Sequence, residues 1–296
     1  MNPSKGTAKI VPPAREGDFL QTVDGLIFDV KGDCHPPDRI ISFVRYIPDS
    51  EGDRKRGKEV YRKVYDLKER YQVLKKEYPQ YVYFDPVFQR ELQGVPHEYI
   101  QKMYNPREKL KELIPKEKDA LEESAVLLAQ MLPVPDSVVG VSGSILVGLH
   151  TPGSDIDLIV YGTQHCINVY NHLKTLREKG VIQQFDREEA RKKALFRWGH
   201  APELLVRLEQ KKVLHGLFQG KEYFFRLLKE NTLQYGDVHY RPLDTVTMKA
   251  VITDDTDNIF TPCCYKVEDA SVEEVEQIVS VRGRFCEHVQ KGDTVT

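Results

Sequence analysis

The chain has 296 residues, 40% of them hydrophobic and 30% charged, with a formal net charge of −2, so it is long enough for two or three domains with their own cores. With 43 Lys and Arg against 45 Asp and Glu, attachment to nucleic acid through a global basic excess is excluded, though a local patch is not. No apolar run approaches the ~18 residues of a membrane span, and the polar N-terminus MNPSKGTAKIVPPAREGDF is no signal segment; a cytoplasmic protein without a membrane partner is expected.

In chain order, residues 1–18 read as a frayed tail, and residues 22–31 (TVDGLIFDVK) and 39–47 (RIISFVRYI) as strands. Pro36 and Pro37 make the connection between them a loop. Asp24, Asp29, Asp33, Cys34 and His35 invite a metal, but aspartates in turns are ordinary. After a charged loop at residues 50–58, Val60, Val64, Leu67, Tyr71 and Leu74 keep helical spacing over residues 59–76, a packing face rather than an RNA platform. The aromatics of residues 78–88 suit core packing better than base stacking. Residues 1–105 are expected to form an accessory domain, β-rich with helices.

Residues 106–132 read as helical with a break at Pro115, and Leu121, Ala125, Leu128 and Leu132 line one side of the second helix. Pro133 and Pro135 stop it and deliver the chain to VVGVSGSILVGLHTPGSDIDLIVY, residues 138–161. Two short β-branched runs enclose a glycine-rich interval, which predicts strand, tight turn, short helix, loop and strand. Gly143 lets the backbone approach a ligand closely, and Ser144 can cap a helical turn over residues 145–148 whose unpaired N–H groups suit phosphate. Gly148, Pro152 and Gly153 break that turn. In the following strand, residues two apart share a side at roughly 6.5–7 Å, so Asp155 and Asp157 aim both carboxylates at one place while Ile156 and Leu158 face the core. Paired hard oxygens of this kind suit Mg²⁺, which fills its shell with water and phosphate oxygens.

On Gly143, Ser144, Gly148, Ser154, Asp155 and Asp157, in that order and spacing, the chain resembles the nucleotidyltransferase superfamily related to DNA polymerase β, especially its small archaeal and bacterial members. The resemblance implies that Asp155 and Asp157 hold Mg²⁺, in a site of two ions, that Gly143, Ser144, Gly148 and Ser154 form the nucleotide-binding bend, and that an NTP gives its nucleoside monophosphate to an acceptor. Two departures stand beside it. Relatives carry an arginine just before the second glycine, where this chain has Val147; His150 is the candidate substitute. The family's third carboxylate belongs on a later strand, and the match is the hairpin of residues 212–218 and 222–228, turning at Gln219 and Gly220. There Phe224 occupies the acid position. Glu222 shares its strand face and is the candidate third catalytic acid, against the plain alternative of a solvated turn glutamate; Asp237 is a second candidate.

Residues 164–179 read as a helix ended by Gly180, and residues 187–193 as a charged helix. Arg197, Trp198 and His200 are read as joining helices rather than facing a base. Residues 243–253, 259–267 and 277–289 read as short strands of a small β-barrel or sandwich, and the chain stops at KGDTVT, like the start of another strand, as if the domain were truncated. Asp254, Asp255 and Asp257 form a wet turn, and five cysteines without a CxxC pair are expected as buried thiols.

The expected class is α+β: an accessory domain at residues 1–105, a nucleotidyltransferase core of mixed sheet and flanking helices at residues 106–235, and a small β domain at residues 236–296. Three readings stand: an Mg²⁺-dependent nucleotidyltransferase acting on an RNA end, a protein or a small molecule; a non-catalytic nucleotide- or RNA-binding member without the third acid; and a partner-binding scaffold.

Overall fold

The computed structural model describes residues 13–296. Residues 1–12 of the expected tail lie outside that range, and the rest is packed: Ala14, Glu16 and Asp18 are buried, and the Asp18 carboxylate accepts the Arg15 N–H at 3.0 Å. The chain divides into two compact units, where three domains are the expectation. One holds residues up to Asn105 with Leu146–Leu149 and Asn231–Leu243; the other holds Pro106–Ile145, His150–Glu230 and Asp244–Thr296.

The first unit is built on an eight-stranded antiparallel sheet. The Asp24-Gly25 turn splits the strand expected at residues 22–31 into β1 (Phe19–Thr22) and β2 (Ile27–Val30). Gly25 takes φ +83 there, and Thr22 Oγ1 accepts the Leu26 N–H at 3.1 Å. β3 (Arg39–Pro48) follows. The first turns of the helix expected over residues 59–76 are instead β5 (Glu59–Lys63), in a hairpin with β4 (Arg54–Arg56) and paired with β3. Sheet pairing overrides a helical spacing that five residues satisfy only weakly. Helix α1 (Leu67–Glu77) starts where Asp66 accepts the Glu69 N–H. β6 (Val82–Asp85), β7 (Arg90–Pro96) and β8 (Ile100–Tyr104) complete the strand order β4-β5-β3-β2-β1-β8, with β7 on β3 and β6 on β7. Leu20, Phe28, Val44, Leu74, Tyr81 and Val95 form its core. The aspartates read there as ordinary turn residues rather than metal ligands have protein partners: Asp24 accepts from Gln80 and the Tyr81 hydroxyl, Asp29 pairs with Lys31, and Asp33 accepts from Asn231.

In the second unit, α2 (Pro106–Leu113) and α3 (Ala120–Gln130) precede β9 (Val139–Val141), α4 (Gly143–Leu146) and β10 (Ile156–Tyr161). Then come α5 (Thr163–Glu178), α6 (Arg187–Trp198), α7 (Glu203–Lys211) and the hairpin β11 (His215–Phe218) and β12 (Lys221–Leu228). The sheet runs β11-β12-β10-β9, with β10 and β12 parallel and the other pairs antiparallel.

β13 (Ala250–Asp254), β14 (Cys263–Glu268), β15 (Gln277–Ser280) and β16 (Thr294–Val295) make one four-stranded antiparallel sheet, neither the barrel nor the sandwich expected. Its apolar side needs no second sheet and no domain of its own, because Ile252, Phe260, Cys263 and Tyr265 share a core with Leu158, Phe225 and Leu227. Three of the five cysteines, Cys166, Cys263 and Cys286, are buried. Among the described residues, no helix is long and apolar enough to cross a membrane.

Candidate active site

The site is built on β10. Ile156 and Leu158 are buried in the core while Asp157 is half-exposed on the alternate side of the strand; Asp155, expected to open the strand, lies one residue before it and is also half-exposed. β9 runs alongside and ends at Val141, and the N–H of the next residue, Ser142, donates to the Asp157 carbonyl at 2.8 Å. Gly143 then turns the chain with φ +61, and a Cβ on it would stand 1.9 Å from Asp157 Oδ2. The glycine-serine bend and one of the two acids are therefore in direct apposition.

The helical turn starts two residues earlier than expected. Ser144 lies inside α4 instead of capping it, and its buried Oγ has no hydrogen-bond partner. Gly148, at φ +67, belongs with Leu146–Leu149 to the first unit. Val147, at the position where the resemblance leads one to expect arginine, is buried among Phe19, Ile27, Tyr46 and Tyr61, which leaves no room for a charge. Its carbonyl accepts from Arg56 Nη1 at 3.1 Å. Ser154 closes a turn: its Oγ accepts the Thr151 N–H at 3.0 Å and its N–H donates to the Thr151 carbonyl at 2.9 Å.

His150, the candidate substitute for the missing arginine, is engaged by an acid. Its Nε2 is 2.7 Å from Asp119 Oδ2, the carboxylate that caps α3, and Glu122 completes a group whose ligand atoms lie within 4.8 Å of one another. Burial raises the Asp119 carboxyl, but the Glu122 N–H and His150 outweigh it and hold it below the usual range. Among the described residues, this is the one such group of three acids, histidines or cysteines, so Asp155 and Asp157 have no third member at ligating distance.

The register explains that. Asp157 is level with Phe224 on β12, and Phe224 with His215 on β11, so the row beside the acid continues in rings, with 4.5 Å between the centroids of Phe224 and His215. Glu222 is half-exposed on the same face as Phe224 and accepts a hydrogen bond from Lys193 of α6. Asp237, the other candidate, lies in the first unit and accepts the Gln234 N–H. Trp198 packs edge-on against Phe285 at 5.1 Å, with the Arg284 guanidinium 4.5 Å from its ring centroid. His200 is exposed.

Sequence reasoning missed Asp119 and Lys193. The first had a signal, since Asp119 three residues before Glu122 is a capping box. The second, one cation in a charged helix, had none.

The donor chemistry fits a hard divalent cation. Asp155 has no ion-pair partner among the described residues, Asp157 abuts a bend without a side chain, and Ser144 offers an unpaired hydroxyl. A family model described as "Nucleotidyltransferase domain" matches residues 125–206. An uncharacterized protein of Methanocaldococcus jannaschii is 27% identical over 297 residues, covering 94% of this chain and 87% of its own. No solved structure matches the chain significantly. The bend at Gly143, Asp155 and Asp157 fall inside the matched span and the β11–β12 hairpin beyond it: residues 125–206 match the nucleotidyltransferase-domain model, and the chain as a whole is similar to the archaeal protein.

Proposed function

We propose that the chain is an Mg²⁺-dependent nucleotidyltransferase that moves a nucleoside monophosphate from an NTP to an acceptor hydroxyl. The observation that carries this reading is the apposition of Gly143 and Asp157, which gives a triphosphate a bare bend beside a carboxylate. Asp155 and Asp157 would hold the metal, and the charge it supplies neutralises the phosphates. Gly143 and Ser144 bind the phosphate chain, the serine through the hydroxyl that lacks a partner. The acceptor oxygen bonds to the α-phosphorus as the bond from that phosphorus to the β-phosphate oxygen breaks. Pyrophosphate leaves, and the hydroxyl proton passes to solvent.

NTP affinity measured with and without Mg²⁺, on the parent and on Asp155→Asn with Asp157→Asn, tests the reading. The parent is expected to bind at least tenfold more tightly with the metal, and the double variant to lose that difference. Persistence of the difference would count against both acids. Pyrophosphate release with RNA, protein or small-molecule acceptors then identifies the reaction.

A second reading, a nucleotide-binding member that transfers nothing, is favoured by the phenyl ring of Phe224 level with Asp157. It predicts metal-dependent NTP binding without pyrophosphate release from any acceptor.

A further inference from the structure

Parallel pairing of β10 with β12 begins at Ile156 with Tyr223 and continues with Asp157 and Phe224. Carried one residue back, that register sets Asp155 level with Glu222. Tyr223 and Phe225 are buried while Glu222 and Phe224 are not, so Glu222 and Phe224 share the face of the two aspartates. Neighbouring strands lie about 4.8 Å apart, which puts a glutamate opposite Asp155 within range of a shared cation. Phe224 has no oxygen to offer and is clamped: the His215 ring lies tilted against it with 4.5 Å between centroids, and on another side a Cβ at Gly283 would meet its ring at 2.7 Å. Glu222 is thus the acid that β12 can bring to the pair, and Lys193 engages it.

Lys193 and Arg197 sit one turn apart on α6. Lys193 donates to Glu222, and Arg197 Nη2 lies 2.9 Å from His215 Nδ1, so both cations reach residues on this face of the sheet. The Lys193–Glu222 pair is partly exposed, 26% and 42% for the two side chains, and an exposed pair is weak enough to exchange. A triphosphate bears about four negative charges and competes strongly for such a lysine.

We infer that Lys193 is a positioning residue that holds Glu222 away from Asp155 and Asp157 until a nucleoside triphosphate draws the lysine off and releases the third carboxylate to the metal site. The inference rests on the reading that Asp155 and Asp157 are the ligands. The third acid of this site is then recruited by the substrate instead of standing ready.

Mn²⁺ binding to the full chain without nucleotide, followed by electron paramagnetic resonance, separates the two levels. The parent is expected to take one ion. Lys193→Met should take a second with at least tenfold higher affinity than the parent has for it, Lys193→Arg should keep a single site, and Lys193→Met with Glu222→Gln should return to one. A parent that takes no ion overturns the reading of the aspartates; a parent that takes one, with Lys193→Met also taking one, overturns the role of Lys193 alone. Metal-free triphosphate affinity is the second readout. It should fall about tenfold in Lys193→Met and rise several-fold in Glu222→Gln, which frees the lysine, and an unchanged affinity in Glu222→Gln contradicts the exchange.

Discussion

Gly143 and Asp157 meet so closely that only a hydrogen fits between the bend and the carboxylate: a Cβ on the glycine would lie 1.9 Å from Oδ2. The glycine also holds φ +61, a conformation that side chains rarely adopt. Close approach and backbone conformation together require this residue.

Gly143→Ala should therefore cost roughly 1–3 kcal/mol of stability from the strained backbone and the collision combined. It should also displace the Asp157 carboxylate, lowering Mn²⁺ affinity at least tenfold. Urea unfolding and metal titration measure the two effects. A variant with parental stability and metal affinity would show that the bend and the acid move independently.

Val147→Arg, which introduces the residue that the family resemblance leads one to expect, is expected to harm the protein. Val147 is buried against Phe19, Ile27, Tyr46 and Tyr61, and an unpaired charge there costs several kcal/mol. The thermal midpoint should drop by more than about 10 °C, and NTP affinity should not improve. Tighter NTP binding at unchanged stability would sink this account of the substitution.

Arg56 ties the segment Leu146–Leu149 into the first unit. It donates to the Val147 carbonyl at 3.1 Å, the Tyr104 hydroxyl at 2.7 Å, Gln21 at 3.0 Å and Glu59 at 2.8 Å. Arg56→Met removes these four hydrogen bonds, leaving Gln21 only the Tyr104 hydroxyl as donor, and should cost about 2–3 kcal/mol, with part of it regained in Arg56→Lys. Urea unfolding of the three proteins checks the order.

Acid should loosen the second unit. Burial holds His215 well below the usual imidazole value of 6.5, with Arg197 and Lys212 adding to the effect, and burial holds His288 at about 4. Both values are lower folded than unfolded, so the stabilisation is present above the unfolded value near 6.5 and is lost as pH falls toward the folded ones. Glu287 has the opposite sign: burial raises it, so its contribution is full below the usual carboxylate range and is lost as pH rises through its folded value. Between pH 7 and pH 5, His288 alone should cost about 1 kcal/mol after allowance for its partial exposure. Urea midpoints at the two pH values should differ less in His288→Gln than in the parent; equal differences would remove the histidine from the explanation.

Much of the site was legible because its signals are local. The glycine-serine bend, the two β-branched strands and the alternation at Asp155 and Asp157 lie within residues 138–161, and each signal spans only a few positions. The hairpin of β11 and β12 was legible for the same reason, from Gln219 and Gly220 between two apolar runs. The helical spacing of residues 59–76 misled because Val60 and Val64 also fit a strand, and pairing with β3 decided between the two. The wet-turn reading of Glu222 missed its partner, Lys193.

The sequence alone determined the chemistry offered: two acids two positions apart, a bare bend before them, and no acid at Phe224. Only the tertiary structure decided what each group faces. His150 meets Asp119 across 31 positions of chain, Lys193 meets Glu222 across 29, and Arg56 meets Val147 across 91. Side-chain alternation acts over neighbouring residues, whereas strand register and helix packing set which distant residues share a face, and no local pattern encodes those pairings.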